Sequence, residues 1–127
     1  MPTQKTILVI EDEKSLRGAL VDILSIKNFR PLQANNGKDG VRIALKEHPE
    51  LIFLDLITPE MDGTTALKKI RKDVWGKKVP IIILTNLSVT NEQFVADALT
   101  HKSTSYLIKS DWKLHDIVKK IEGILKK

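Results

Sequence analysis

Residues 7–13 read Ile-Leu-Val-Ile-Glu-Asp-Glu: four consecutive apolar residues followed by three acidic ones. Three later apolar runs also end in residues able to bind a metal ion or a phosphate, at Asp55, Thr85 and Lys109. Continuous runs of Ile, Leu and Val are typical of strands buried on both faces of a parallel sheet. Because ligands of open α/β sheets bind beyond the carboxyl ends of the strands, we expect these polar side chains to meet at one edge.

The composition is that of an ordinary globular chain. Its 127 residues suit one domain, 42% of them are hydrophobic and 29% charged, and there is no cysteine for a disulfide or a thiolate site. The start lacks a secretion signal, and no apolar run approaches the roughly 18 residues of a membrane helix. We therefore expect a cytoplasmic protein with no membrane insertion.

The formal net charge is +5. The basic residues are distributed along the chain rather than gathered in one block with interleaved aromatic residues. This pattern favours lysines that solvate helix faces, and we expect no direct contact with nucleic acid.

Apolar residues at helical spacing alternate with the apolar runs and with a short second strand at residues 30–35. The pattern predicts five strands alternating with five helices, of which the fourth, around residues 95–99, is the shortest. A doubly wound, right-handed parallel sheet with helices on both faces, a three-layer α/β sandwich, is the natural solution. We expect residues 1–127 to form this single domain, with no output domain.

The acidic strand ends can support metal and phosphate chemistry. Taken alone, the run 11–13 fits the solvated start of the first helix, where acidic residues favour the helix dipole. Its coincidence with Asp55 at a second strand end favours a Mg²⁺ site instead, since carboxylate oxygens are the ligands of that ion. A carboxylate in such a place can also accept a phosphoryl group. Thr85 and Lys109 could then hold the phosphoryl oxygens, by a hydrogen bond and by charge.

In order and spacing, these segments resemble the response-regulator receiver domain, in its single-domain form similar to the chemotaxis regulators. The matching segments are residues 7–13, 55–63, 81–85 and 106–109. The resemblance implies a flavodoxin-like fold with strand order 2-1-3-4-5. It also implies a two-component phosphorelay, in which a histidine kinase or a phosphotransfer protein donates a phosphoryl group to Asp55.

The resemblance further implies a ligand set for Mg²⁺. Asp12 and Asp55 bind the ion directly, Glu11 acts mainly through water, and the backbone carbonyl of Ile57 completes the protein ligands.

The resemblance assigns signalling to a second group of residues. Lys109 and Thr85 hold the phosphoryl oxygens, and Tyr106 turns inward as Thr85 is drawn toward them. This shifts the face made by the fourth helix, the fifth strand and the fifth helix, which controls a downstream protein partner. Tyr106 is equally compatible with a half-buried aromatic side chain whose hydroxyl contacts water.

Several positions depart from the family pattern. Ser110 follows Lys109 where the family usually has proline in a cis peptide, and cis before another residue costs about 2.5–4 kcal/mol. We therefore expect a trans bond, or a strained cis bond if the site demands it. Asn86 replaces the usual Ala or Gly and could narrow access to the phosphoacceptor. Ile57 and Leu87 are not departures: they occupy the two variable positions that flank the phosphate in family members. Neither apolar side chain can orient a water by hydrogen bonding, so we predict slow self-dephosphorylation.

Three other functions are compatible with parts of the pattern. A receiver-like adaptor would keep the fold and bind partners constitutively, without phosphorylation. A phosphatase of the haloacid dehalogenase type would need an aspartate at Ile57, so we expect no turnover enzyme. A flavin-binding module would place its phosphate against residues 11–13, which would repel it. The sequence does not distinguish a monomer from a dimer that forms on phosphorylation.

Overall fold

Five strands, four α-helices and a 3₁₀ helix occupy the residues described by the computed structural model. These are residues 4–55, 63–85, 104–108 and 113–125, with the backbone alone for residues 63, 64, 85, 104 and 106–108. The elements are β1 (Thr6–Ile10), α1 (Lys14–Ile26), β2 (Arg30–Ala34), α2 (Gly37–Glu47), β3 (Leu51–Asp55), α3 (Gly63–Lys72), the 3₁₀ helix (Trp75–Lys77), β4 (Ile81–Thr85), β5 (Thr104–Ile108) and the C-terminal helix (Leu114–Leu125).

The strands form one parallel sheet in the order β2-β1-β3-β4-β5. This confirms the α/β, doubly wound sheet and the strand order that the resemblance implied. The predicted fourth helix, around residues 95–99, lies outside the described residues.

Alternate residues of the central strands face two separate cores. All five residues of β1 and of β3 are buried. One core packs Leu8 and Ile10 against α2 and α3, whereas the other packs Ile7 and Val9 against α1 and the C-terminal helix. Because side chains alternate along a strand, one apolar run supplies both cores. The result is the three-layer arrangement predicted from the sequence.

The sheet edge and the helix ends follow from local sequence. β2 is an edge strand that is only partly buried, a position where Pro31 is tolerated. Asn36 caps α2 by accepting a hydrogen bond from the backbone N–H of Asp39 at 2.8 Å. The same helix ends at His48, which has a left-handed backbone with φ of 48°. None of the described helices has the length and apolar character needed to cross a bilayer.

Arg71 is an exception to the expectation that the basic residues lie on solvated helix faces. Its residue is only 8% exposed, and burial lowers the pKa of its guanidinium. One nitrogen, Nη1, donates to the carbonyl oxygens of Gly76 at 3.0 Å and Val79 at 2.8 Å. The side chain therefore joins the end of α3 to the turn that leads into β4.

We expect Arg71→Met to lower the free energy of unfolding by about 2–4 kcal/mol, because buried carbonyl groups lose a charged donor. The control is Lys72→Met, one residue along α3 and exposed, for which we expect a change within about 0.5 kcal/mol. Urea unfolding measures both variants. Equal, small effects would show that Arg71 does not hold this turn.

Candidate magnesium and phosphoacceptor site

The acidic residues lie where the strand order reverses. β1 has β2 on one side and β3 on the other, and the helices that follow β1 and β2 pack on opposite faces of the sheet. A crevice opens at such a switch point, outside the carboxyl ends of the strands. Ile10 pairs with Leu54, so Glu11 and Asp55 follow paired positions on neighbouring strands. Backbone register alone therefore brings two distant parts of the sequence together.

Glu11, Asp12 and Asp55 form one carboxylate cluster. One oxygen from each lies within 4.8 Å of the others. Glu11 is fully buried and Asp55 is 3% exposed, whereas Asp12 is exposed. The cluster therefore has two covered members and one member open to solvent.

The donor set of this cluster fits Mg²⁺. Oxygens placed octahedrally about 2.1 Å from an ion lie roughly 3–4.2 Å apart, so the observed separations need only small side-chain adjustments. All three donors are hard oxygens, and an exposed member leaves room for the waters that Mg²⁺ retains. Buried carboxylates so close together also repel one another, which a bound cation relieves.

Backbone hydrogen bonds hold the turn between β1 and α1. The N–H of Glu11 donates to the carbonyl of Ala34 at 3.0 Å, which ties the turn to β2. The Glu11 carboxylate accepts the N–H of Glu13 at 3.0 Å. Glu13 is the N-cap of α1 and makes no side-chain capping bond of its own. Glu11 thus satisfies a donor at the start of the helix, and this bond orients its carboxylate toward the cluster.

Arg17 is a part of this site that the sequence analysis missed. Its Nη1 donates to the carbonyl of Glu11 at 2.9 Å and makes a longer contact, 3.5 Å, with that of Asp12. Its Nε donates to the side chain of Gln33 at 3.1 Å. The feature of the sequence that could have indicated this role is the position of Arg17, one helical turn after the acidic residues 11–13. Because Arg17 binds backbone carbonyls, it offsets negative charge near the cluster without using the carboxylate oxygens.

The other predicted site residues are placed only in part. Thr85 ends β4 and pairs with Ile108, the last residue of β5, so its backbone lies at the same edge of the sheet as Asp55. Lys109 follows Ile108 directly in the sequence. The remaining assignments lie outside the described residues and stay predictions: the side chains of Thr85 and Tyr106, and residues Ile57, Asn86, Leu87, Lys109 and Ser110.

Comparison with known proteins agrees with this arrangement. The family model for the response regulator receiver domain matches residues 7–122. A probable transcriptional regulator, ycf27, of Porphyridium aerugineum is 36% identical over 106 residues, which cover 84% of this chain and 42% of that protein. The chain spans less than half the length of the first curated relatives that it matches.

Solved structures share the fold. A CheY-like receiver domain protein from Methanospirillum hungatei JF-1 superposes with a TM-score of 0.86 at 22% identity, over 98% of this chain and 95% of that chain. The receiver domain of sensor histidine kinase PA1611 from Pseudomonas aeruginosa PAO1 gives 0.82 at 22% identity, over 98% and 100%. That domain has a magnesium ion coordinated in its active-site cleft. By its family match and its fold, this chain belongs to the response regulator receiver domains of two-component systems.

Proposed function

We propose that this chain receives a phosphoryl group on Asp55 from a histidine kinase or a phosphotransfer protein, in a reaction that depends on Mg²⁺. The observation that carries the proposal is the cluster of Glu11, Asp12 and Asp55 at the switch point of the sheet. A carboxylate acceptor beside a site for a hard cation is the minimal equipment for phosphoryl transfer, which depends mostly on positioning and charge.

In the transfer, a carboxylate oxygen of Asp55 bonds to phosphorus while the bond from phosphorus to the donor's histidine nitrogen breaks. The electron pair of the broken bond stays on that nitrogen. The bound ion, held by Asp12 and Asp55 with Glu11 acting through water and Ile57 through its carbonyl, would neutralise charge on the phosphoryl oxygens. Asp55 supplies the nucleophile from a nearly covered position that excludes bulk water.

Lys109 and Thr85 complete the site in this proposal. Thr85 is the last residue of β4, and Lys109 follows the last residue of β5 in the sequence; these two strands come after β3 in the sheet. Lys109 contributes a point charge and Thr85 a hydroxyl donor to the phosphoryl oxygens. Movement of Thr85 and an inward turn of Tyr106 then change the face formed by the predicted fourth helix, β5 and the C-terminal helix. A downstream protein reads that change.

Incubation with acetyl phosphate tests phosphoryl acceptance. With Mg²⁺ we expect the intact mass of the wild type to rise by one phosphoryl group, and we expect no rise with EDTA or for Asp55→Asn. The control is Asp22→Asn, which changes an exposed carboxylate on α1 and should be phosphorylated like the wild type. No mass gain in the wild type would favour the constitutive, phosphorylation-independent adaptor.

Metal binding can be tested apart from phosphorylation. Asp12→Asn removes one carboxylate charge, so we expect Mg²⁺ to bind at least about tenfold more weakly in isothermal titration calorimetry. Without metal, the same variant should unfold at a higher urea concentration than the wild type, because repulsion within the cluster is reduced. The exposed control Asp22→Asn should change neither quantity. Unchanged affinity in Asp12→Asn would remove Asp12 from the ligand set.

The apolar side chains of Ile57 and Leu87, which we expect to flank the phosphate, predict slow decay of the phosphoprotein. Ile57→Asn combined with Leu87→Gln would supply groups able to orient a water, and we expect decay to accelerate about tenfold or more. Loss of the phosphorylated mass over time measures the rate. The control replaces two exposed apolar residues, Ile26 and Val74, by the same polar pair. An unchanged half-life in the variant with Ile57→Asn and Leu87→Gln would show that these two side chains do not set the decay rate.

A further inference from the structure

The positive charge of this chain is concentrated in one short segment. Residues 68–78, Lys-Lys-Ile-Arg-Lys-Asp-Val-Trp-Gly-Lys-Lys, contain six basic side chains and one acidic side chain. In the rest of the chain, acidic and basic side chains are equal in number, so this segment accounts for the whole formal net charge of +5.

Five lysines of the segment form an exposed surface, whereas Arg71 is buried. Three of the five, Lys68, Lys69 and Lys72, lie on α3, on the side away from the buried residues Ala66, Leu67 and Ile70; the other two follow the helix. Within the described part of the chain, none of them makes an ion pair. We call these five residues the basic surface: Lys68, Lys69, Lys72, Lys77 and Lys78.

Local structure explains only part of this arrangement. The dipole of α3 favours cations in its last turn, which accounts for Lys69 and Lys72. It does not account for Lys77 and Lys78, which lie beyond the helix. Lys68 and Lys72 are four residues apart on one helix, a spacing at which like charges repel. An anionic partner would relieve this repulsion.

An aromatic pair lies beside the basic surface. The rings of His48 and Trp75 stack with their centroids 4.6 Å apart and an interplanar angle of 11°. Trp75 is half-buried and packs on the core, while His48 is exposed. The backbone N–H of Trp75 also donates to the carboxylate of Asp73 at 3.0 Å. The exposed imidazole therefore rests on a support that is itself fixed to the protein.

The aromatic pair, Lys77 and Lys78 lie toward the end of the sheet opposite the acidic cluster. His48 precedes β3 and residues 75–78 precede β4, whereas Glu11, Asp12 and Asp55 lie at carboxyl ends of strands. A five-residue strand spans about 16 Å, roughly two Debye lengths at physiological salt. The carboxylates therefore do not prevent a polyanion from binding here.

We propose that the basic surface and His48 bind single-stranded nucleic acid, with the lysines on phosphates and the imidazole stacked on a base. Aromatic platforms beside a positive surface are how proteins bind single strands without sequence preference. Lysines are depleted at protein interfaces, which makes an acidic protein a weaker fit. A lipid surface would need apolar anchors, but Trp75 is held by the core and His48, which leaves Val74, 86% exposed.

From the sequence we expected no such contact, because the basic residues are distributed along the chain. Most of them do lie outside residues 68–78, but acidic residues balance them there, and only this segment carries excess positive charge. In the structure, His48 stacks on Trp75 from 27 positions earlier in the chain, and Trp75 itself lies between Lys72 and Lys77 in the sequence. The proposal is independent of phosphorylation at Asp55.

Fluorescence anisotropy of the full chain with a labelled oligo(dT) of about 20 nucleotides tests the charge component. Five phosphate contacts predict a slope of about −3.5 for log affinity against log salt. Lys68→Ala with Lys72→Ala should reduce the size of this slope by about 1.4. The control is Lys14→Ala with Lys119→Ala, two exposed lysines elsewhere, which changes net charge equally and should leave the slope unchanged.

His48→Asn tests the stacking component. Asparagine tolerates the left-handed backbone at this position, so the variant removes the ring and keeps the helix end. We expect about tenfold weaker binding of oligo(dT). Binding of inorganic polyphosphate, which has no bases, should not change.

Several results would overturn the proposal. These are no binding of oligo(dT), equal effects of the two lysine pairs, and no effect of His48→Asn on oligo(dT). Binding of poly-glutamate or of phosphatidylserine vesicles as tightly as oligo(dT) would assign the surface to an acidic protein or to a membrane instead.

Discussion

The mutual repulsion of three carboxylates at one end of a parallel sheet is the constraint on which this site depends. Glu11 and Asp55 are covered by protein, and Asp12 meets them from the solvent side. Such a cluster is costly unless positive charge is brought to it. The protein supplies some of that charge from Arg17, bound to the carbonyl groups of the same turn. The proposed magnesium ion would add positive charge directly at the carboxylates, and part of its affinity would come from the repulsion that it relieves.

The sheet makes this arrangement possible. Parallel strands place all their carboxyl ends at one edge, and the order β2-β1-β3 makes neighbours of two strands that are separated in sequence by β2 and two helices. β1 and β3 are buried on both faces, so their register is set by two cores. A rigid frame of this kind positions Asp55 against Glu11 and Asp12 at little further entropic cost.

Much of the fold followed from the sequence because its signals are local and repeated. Apolar runs predicted four of the five strands, all except β2, and helical spacing predicted α1, α2, α3 and the C-terminal helix. The carboxylate cluster was also predictable, since strand ends in a parallel sheet share an edge. The strand order came from the family resemblance, because the periodicity of a strand does not specify its neighbours.

Other features depend on tertiary contacts that leave little trace in the sequence. Arg71 has the same sequence context as the exposed lysines around it, yet the turn before β4 offers it buried carbonyls. Arg17 is one of three arginines on the described helices, and nothing in the sequence shows that the acidic turn folds against it. The stack of His48 on Trp75 joins the end of α2 to the 3₁₀ helix, two elements whose contact no periodicity predicts.

A crystal grown with MnCl₂ tests the central claim most directly, because Mn²⁺ takes the same oxygen ligands as Mg²⁺ and scatters anomalously. The account predicts one strong anomalous peak within coordination distance of carboxylate oxygens of both Asp12 and Asp55, and close to Glu11. A well-ordered crystal without a peak at that position, or with manganese bound only elsewhere, would contradict it.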